Sequence, residues 1–343
     1  MEIDWFEKLL GFKEEPYNKT KKKLAIRGKK LHSLVNDKSY EVGELELKSL
    51  KELREESRLI KKENNIRKKN KLRLIEGNVK KFLRSGDNHQ ALFQVASQFN
   101  MLEMSDPSIN PEDGVTRYRY DYTQGPACSI ATGAATIYRN YFVPNNGIFG
   151  QTKEKQLNGL AKIEKKLTKE LKTQNSNLWK IENGYVLFSE EEISKINNYL
   201  ELESANISKI KENILIGFHQ GVEVTHSDNF DKILVSLALC SAIPVSYNSI
   251  KPISLKLFSC LILEGAYEAT LLSGIINANK RGSNKIFLTL LGGGAFGNDE
   301  EWIISAIEKA LYKVENFNLD IKIVSYDAPS ERIVNLVEKF NRN

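Results

Sequence analysis

A glycine-rich run at residues 292–298, Gly-Gly-Gly-Ala-Phe-Gly-Asn, is the stretch of this chain best suited to chemistry. It follows an apolar run at 286–291 that is typical of a buried strand and precedes a helical segment. Glycines let backbone N–H groups approach an anion closely, and the start of a helix favours negative charge. The ring of Phe296 offers a flat face to a sugar or base. The run predicts a site for a phosphorylated, ribose-bearing ligand, with a tight strand-to-helix turn that binds nothing as the alternative.

Four aspartates stand where they could act on such a ligand. Bond cleavage at the anomeric carbon of ribose passes through a transition state with positive charge on the sugar, and a nearby carboxylate can orient water or offset that charge. Asp113 and Asp121 bracket part of a polar loop at 101–124 that could fold over the ligand. Asp299 directly follows the glycine run and is either catalytic or a helix N-cap. Asp327 ends a predicted strand and could receive an amine of the base.

The pattern of strands and helices predicts how these residues are held together. We expect strands at 71–75, 92–97, 214–225, 244–247, 286–291 and 321–326, and helices at 80–84, 127–141, 230–241, 255–279, 300–315 and 330–341. Their alternation predicts a three-layer α/β/α sandwich with a mixed sheet. Ligands of such sheets bind beyond the carboxyl ends of the strands. That rule places Asn78, Asn100, the 101–124 loop, the glycine run and Tyr326-Asp327 on one rim.

Two further segments flank this predicted domain of residues 71–343. Residues 1–70 resemble an N-terminal ancillary extension, basic and partly helical, and residues 151–210 a Lys/Glu/Asn-rich helical insertion on the surface. Basic runs at 19–30 and 61–72 favour solvated helix faces. The alternative is that these runs bind nucleic acid. This alternative predicts an affinity for nucleic acid that falls steeply with salt concentration and is lost when the chain is truncated near residue 70.

Composition excludes several classes of protein. The 50 Lys+Arg nearly balance the 44 Asp+Glu, and three scattered cysteines argue against a disulfide framework and a zinc site. We expect no metal and no cofactor. The sequence shows no signal-peptide pattern, and we expect no apolar run long enough to cross a bilayer. We therefore expect a cytoplasmic protein that does not contact membranes; export of the folded chain to a host cell could not be recognised from sequence.

The ordered set of motifs resembles the macrodomains. It consists of Gly77-Asn78 after one strand, Ala-Ser-Gln-Phe-Asn at 96–100 after the next, Gln-Gly-Pro-Ala at 124–127 before a small-residue helix, the glycine run, and Ile-Val-Ser-Tyr-Asp at 323–327. Within that superfamily the glycine run is most similar to microbial poly(ADP-ribose) glycohydrolases. Residues 123–134 and 265–270 look like the divergent bacterial effector hydrolases of the MavL type.

The resemblance implies hydrolysis of ADP-ribose from modified protein. For the diphosphate we expect the backbone of Gly292, Gly293, Gly294, Ala295 and Gly297; for the distal ribose, Phe296 with Asn100 or Asn298; and for the adenine, Tyr326, Asn78 and Asp327. Gln98, Gln124 and Gly125 complete the predicted ligand-binding set, and Asp113, Asp121 and Asp299 are the predicted catalytic residues. The MavL-type segments imply an arginine linkage, with ubiquitin as a substrate.

Two departures from the family pattern bear on function. Asn78 stands where macrodomains carry an adenine-reading Asp, so the charge-assisted part of that contact is lost. The glycohydrolases carry a catalytic Glu in a Gln-Glu-Glu run, whereas this chain has Gln124-Gly-Pro126. The catalytic acid therefore cannot be transferred from that family, and a module that binds ADP-ribose or a related nucleotide without turnover remains the alternative.

Overall fold

The computed structural model describes residues 4–65, 67–172, 178–225 and 232–342. Its helices are α1 Trp5–Leu10, α2 Tyr17–Lys22, α3 Leu50–Asn64, α4 Val79–Arg84, α5 Gln124–Ala131, α6 Gly133–Tyr141, α7 Ala161–Glu170, α8 Glu190–Leu200, α9 Ile207–Lys211, α10 Pro252–Arg281, α11 Glu300–Lys313 and α12 Glu331–Arg342. Its strands are β1 Leu24–Arg27, β2 Lys30–Ser33, β3 Ser39–Glu41, β4 Glu44–Ser49, β5 Lys71–Glu76, β6 Leu92–Ala96, β7 Pro144–Asn145, β8 Ile148–Phe149, β9 Lys180–Glu182, β10 Tyr185–Leu187, β11 Leu215–Glu223, β12 Leu234–Cys240, β13 Lys285–Leu288 and β14 Asp320–Ser325.

Seven of these strands form one mixed sheet in the order β4-β11-β12-β6-β13-β14-β5. Strands β12, β6, β13, β14 and β5 run parallel to one another, and β11 runs antiparallel to both of its neighbours. The central strands are buried on both faces, which suits their nearly continuous apolar sequences. Because the parallel strands point the same way, their carboxyl ends gather at one edge of the sheet.

Helices cover both faces of this sheet and confirm the predicted three-layer sandwich. The long helix α10 packs on β6, β11, β12 and β13, and α3, α8 and α11 pack against it. On the other face α5 packs on β6, next to α4, while α6 packs on β11. The sheet thereby separates two apolar cores, one centred on α10 and one between the sheet and α5.

Helix α10 corrects one expectation from the sequence. Its 30 residues are long and apolar enough to cross a bilayer by length and composition, contrary to the expected absence of such a run. Of its most apolar window, 89% is buried inside the protein, as expected for the central helix of a folded core. Small residues allow this close packing: a β-carbon on Gly274 would lie 2.0 Å from Ile286 of the sheet.

The prediction for residues 230–241 is wrong, because residues 234–240 form strand β12 instead of a helix. A short apolar run of this length does not distinguish a buried strand from a buried helix by periodicity. The strand predicted at 244–247 is also wrong, since Val245–Tyr247 is a 3₁₀ turn. The long polar loop at 101–124 contains two further 3₁₀ turns, Pro111–Asp113 and Thr116–Tyr120, and ends as α5 begins at Gln124.

The two flanking segments pack closely with the sandwich. Strand β4 is an edge strand of the main sheet, and helix α3 begins directly after it at a capping box formed by Ser49 and Glu52. The parts of the chain on either side of residue 70 therefore pack against each other. Residues 5–41 form a small unit of α1, α2 and the sheet β1-β2-β3. The segment 151–210 contains α7, α8 and α9, and also the hairpin β9-β10, which the sequence did not predict.

Candidate functional site

A pocket opens at the carboxyl ends of β12, β6 and β13, where the topology of an open α/β sheet favours ligand binding. Three connections surround it: the loop from β6 to the start of α5, the segment after β12, and the glycine run after β13. The hairpin β9-β10 adds a fourth side. Its lining is Ala96, Ser97, Gln98, Glu103, Met104, Ser105, Asp121, Thr123, Gln124, Gly125, Pro126, Tyr185, Ala242, Tyr247, Thr289, Leu290, Leu291, Gly292, Gly294, Ala295 and Phe296.

The glycine run forms a compact turn whose backbone faces this pocket. Gly292 and Gly297 have φ of +77° and +68°, values that favour glycine. The buried side chain of Asn298 donates to the carbonyls of Ile243 (2.8 Å) and Gly292 (3.2 Å) and so fixes the turn. Asn298 is thus a support of the turn, and it does not line the pocket.

Several N–H groups of this turn are available to a ligand. Those of Gly293 and Gly297 are used inside the turn, by the carbonyls of Leu290 and Gly294. Among the described residues, four other backbone N–H groups of the turn donate no hydrogen bond, and they belong to pocket-lining residues: Gly292, Gly294, Ala295 and Phe296. Successive free N–H groups in a turn make a concave site for an anion. The turn therefore has the donors that an anion site needs, and anion binding at this turn stays a prediction.

Three aromatic rings form one wall of the pocket. The ring of Phe296 lies 5.4 Å from that of Tyr185 and 5.9 Å from that of Tyr247, measured between centroids. Tyr185 is fixed because its hydroxyl donates to the carbonyl of Met104 at 2.6 Å. The rings adjoin the glycine turn, because Phe296 belongs to it.

Opposite the glycine turn, α5 begins in direct contact with β6. The side chain of Gln124 accepts from the N–H of Ala96 and donates to the carbonyl of Gln94, each at 3.0 Å. It thus pairs with the strand as a neighbouring strand would. A β-carbon on Gly125 would lie 2.1 Å from the carbonyl oxygen of Ala96, so only glycine permits this approach. Gln124 and Gly125 line the pocket, but their contacts show a structural role.

Asp121 is the predicted catalytic residue that the structure places in the pocket. One carboxylate oxygen accepts from the N–H (2.9 Å) and the hydroxyl (2.7 Å) of Thr123. The structure shows no further hydrogen bond to this side chain within the described residues. The carboxylate is therefore oriented and still has acceptor capacity for a water molecule or a ligand hydroxyl.

Glu103 is a pocket residue that the sequence analysis missed. Its side chain is buried beside Gly125, where Arg139 contacts one carboxyl oxygen at 3.4 Å and the other oxygen has no hydrogen-bond partner among the described residues. Burial raises the pKa of Glu103 from 4.5 to about 7; Arg139 opposes this rise and the nearby charge of Asp121 adds to it. The available sequence signal was a single acid between two apolar residues, Leu102 and Met104, just after a strand.

We expect Glu103 to make the stability of the protein depend on pH. The folded protein holds this proton more tightly than an ordinary carboxyl with a pKa of 4.5, so stability is lost as pH rises through about 7. Between pH 5 and pH 8 the free energy of unfolding should fall by roughly 2 to 3 kcal/mol through this group. Denaturant unfolding across this range measures the slope, and E103Q should flatten it. An equal slope in E103Q would contradict the assignment.

Several predicted site residues lie outside the pocket. Asn100 is fully buried: its side chain accepts from the N–H of Leu102 and donates to Gln156. Asp113 caps the turn Pro111–Asp113, and Asp299 caps α11 by accepting from the N–H of Glu301. Exposed aspartates at such positions satisfy free N–H groups at a helix start, which explains their spacing without catalysis.

Gln98 lines the pocket, but its amide is already paired. It accepts from the N–H of Met104 at 2.7 Å and donates to the carbonyl of Met104 at 3.0 Å. These two bonds fold the chain back immediately after β6 and bring Glu103 to the pocket. The side chain of Gln98 therefore shapes the loop, and its contact with a ligand stays a prediction.

The residues predicted to contact adenine lie at the ends of β5 and β14, further along the same rim. Asn78 caps α4 by accepting from the N–H of Lys80 at 2.9 Å, Tyr326 is 72% exposed, and Asp327 is also exposed. Strand β5 is two strands from β13 in the sheet, which corresponds to about 10 Å. A nucleotide with its phosphates at the glycine turn could reach this part of the rim, and these contacts stay predictions.

Comparison with known proteins gives matches among solved structures. No family model and no curated protein matches the chain. The structure is similar to poly(ADP-ribose) glycohydrolase from Deinococcus radiodurans in complex with ADP-ribose (8% identity, TM-score 0.46, covering 87% of this chain and 94% of that one). It is also similar to poly(ADP-ribose) glycohydrolase from Thermomonospora curvata bound to the inhibitor ADP-HPD (12% identity, TM-score 0.42, covering 87% and 84%).

Both proteins carry the name of the enzyme group that the glycine run resembles.

Proposed function

We propose that the protein is an ADP-ribosyl hydrolase that releases ADP-ribose from modified protein by hydrolysis at the anomeric carbon of the distal ribose. One observation carries the proposal: a turn with four backbone N–H groups that are free within the described residues lines the same pocket as the oriented carboxylate of Asp121 and an aromatic wall. An anion site, a surface for a sugar and a group that can orient water are the three requirements of this chemistry.

In this proposal each side of the pocket would contact one part of the ligand. The diphosphate would accept hydrogen bonds from the N–H groups of Gly292, Gly294 and Ala295, and the distal ribose would lie against Phe296. Asp121 would then orient a water molecule towards the anomeric carbon and take a proton from it as the glycosidic bond breaks. Asp121 then returns this proton to the leaving group, so that ADP-ribose and the unmodified protein are the products.

Release of ADP-ribose tests this proposal directly. Mono-ADP-ribosylated proteins with arginine, serine and acidic linkages, and poly(ADP-ribose), should be incubated with the protein while free ADP-ribose is measured. We expect release from at least one linkage class. Absence of release from all of them, by a folded protein at a concentration near that of the substrate, would contradict the proposal.

The same set of substrates tests which linkage and which protein are preferred. We propose an arginine linkage, with ubiquitin as the modified protein, because the segments 123–134 and 265–270 resemble the MavL-type hydrolases. ADP-ribosylated ubiquitin and an arginine-linked peptide should then be processed faster than serine-linked or acyl-linked substrates. A preference for another linkage would contradict the proposed arginine linkage and would still be consistent with a hydrolase.

A binding module without turnover is the second candidate. It is favoured by Gly125-Pro126, which stand where the glycohydrolases carry their catalytic acid, and by the absence of space for a side chain at residue 125. This candidate predicts calorimetric binding of ADP-ribose together with no product from any substrate. The two candidates therefore share the ligand and differ only in turnover.

The glycine turn supplies a test of ligand binding that leaves the fold intact. A β-carbon on Gly294 would meet nothing within 4 Å, and this residue lines the pocket. We expect G294V to weaken ADP-ribose binding about tenfold or more, because its side chain would occupy the space next to the free N–H groups. Calorimetry measures the affinity, and a thermal melt should show an unchanged midpoint.

Gly86 provides the matched control for this experiment. It also has open space around its α-carbon but lies in a 3₁₀ turn outside the pocket lining. G86V should bind ADP-ribose as the unmodified protein does. Equal affinities of G294V and G86V would show that the glycine turn does not contact the ligand.

A further inference from the structure

We infer that Glu14, in the N-terminal segment of residues 4–42, is a positioning residue for Asp121. The inference rests on the proposed function, because it assigns a role to Asp121. It is carried by a chain of contacts from the N-terminal segment to both carboxyl groups of the pocket.

The carboxylate of Glu14 forms hydrogen bonds with the loop that leads to Asp121. It accepts from the backbone N–H of Val115 at 2.9 Å and of Thr116 at 2.6 Å, and from the hydroxyl of Tyr141 at 2.7 Å. The loop approaches so closely that a β-carbon on Gly114 would lie 2.5 Å from the Glu14 carboxyl carbon. Three hydrogen bonds to one charged group make this a strong and directional attachment.

Helix α1 holds the same turn from its other side. The indole N–H of Trp5 donates to the carbonyl of Thr116 at 3.2 Å, and Asp4 lies 3.5 Å from the guanidinium of Arg119. Thr116 is therefore fixed through both its N–H and its carbonyl by residues of the N-terminal segment. The 3₁₀ turn Thr116–Tyr120 begins at this point and is followed directly by Asp121, whose N–H donates to the carbonyl of Tyr118 at 3.1 Å.

The same turn reaches Glu103 through Tyr118. This side chain is buried, and its hydroxyl accepts from the backbone N–H of Glu103 at 3.0 Å. Residues on both sides of Glu103 belong to one apolar core with the N-terminal segment, which includes Trp5, Phe6, Leu9, Leu10, Leu102, Met104, Val115 and Tyr118. Both pocket carboxyl groups thus depend on the N-terminal segment for their backbone positions.

The glycine turn is held independently of this segment. Its hydrogen bonds within the described residues go to the turn itself and to Leu290, Ile243 and Ser246. Loosening the Glu14 attachment should therefore disturb the carboxyl groups and leave the anion site in place. This asymmetry predicts a loss of turnover without a loss of affinity, which a general loss of stability would not produce.

The experiment compares E14A and E14Q with Y17F in the full chain. Tyr17 packs in the same core, and its hydroxyl donates to the carbonyl of Asn140 at 3.1 Å, a contact outside the 114–121 loop. We expect E14A to lower kcat about a hundredfold, the effect of misplacing a reacting group by roughly 1 Å. E14Q keeps one acceptor oxygen and should fall between E14A and the unmodified protein. All three variants should bind free ADP-ribose with an unchanged Kd, and Y17F should keep its kcat.

Two results would overturn the inference: a kcat of E14Q within about twofold of that of Y17F, or a parallel change of kcat and Kd in the folded E14 variants. If E14A does not fold, E14Q decides the question. If the unmodified protein binds ADP-ribose but shows no turnover, the proposed function fails separately. Amide hydrogen exchange at Val115 and Thr116 then tests the attachment: faster exchange in E14Q than in Y17F supports it, and equal exchange overturns it.

Discussion

Replacing Asp121 by Asn should lower turnover about a thousandfold, within the range expected for loss of a general base. The substitution keeps the shape of the side chain, and the Asn oxygen can still accept from the N–H and hydroxyl of Thr123, so the local fold should persist. The amide cannot take a proton from water. We therefore expect kcat to fall while the Kd for ADP-ribose stays nearly unchanged.

The controls for D121N come from the aspartates that the sequence could not distinguish from it. Asp113 caps the turn Pro111–Asp113 and Asp299 caps helix α11, both outside the pocket, so D113N and D299N should keep their activity. Steady-state kinetics of the three variants on one substrate measures the contrast. A loss of activity in D113N or D299N comparable to that in D121N would contradict the placement of the reaction at this pocket.

Replacing Gly125 by Ala should destabilise the protein by more than about 3 kcal/mol, the upper end of the cost of overpacking. The added methyl group would lie 2.1 Å from the carbonyl oxygen of Ala96, and a backbone atom cannot move aside as a side chain can. Helix α5 would have to move away from β6, and the two hydrogen bonds of Gln124 to this strand would be lost. Denaturant unfolding measures the difference directly.

Gly86→Ala is the matched control for this prediction. Its added methyl group would meet nothing within 4 Å, so the free energy of unfolding should change by less than about 0.5 kcal/mol. A G125A variant as stable as G86A would show that α5 and β6 are not in the close contact described. The result also bears on function, since residue 125 stands where the glycohydrolase motif carries an acid.

The sequence predicted the layered fold because the signals for it are local. Apolar runs followed by glycine indicate elements one at a time, and the alternation of strands and helices indicates the sandwich. The error at 230–241 arose where this local signal is ambiguous. The close packing of the N-terminal segment against the site could not be read locally, because the Glu14 bonds to Val115 and Thr116 join residues about a hundred positions apart.

Prediction of the site was limited in a similar way. The glycine run indicated an anion site because a turn whose backbone comes close to an anion requires glycine at certain positions. In the structure, Gly292 and Gly297 of this turn have the positive φ values that favour glycine. Polar residues near strand ends were harder to assign, because a side chain such as that of Asn100 or Gln98 serves a turn as readily as a ligand. Glu103 was missed because its chemistry depends on burial by Arg139 and Gly125, which are distant in sequence.

A calorimetric titration of the full chain with ADP-ribose tests the central claim most directly. We predict saturable binding of one molecule per chain, weakened in G294V and unchanged in G86V and D121N. The absence of any binding heat up to about millimolar ADP-ribose, for protein shown to be folded, would contradict the account.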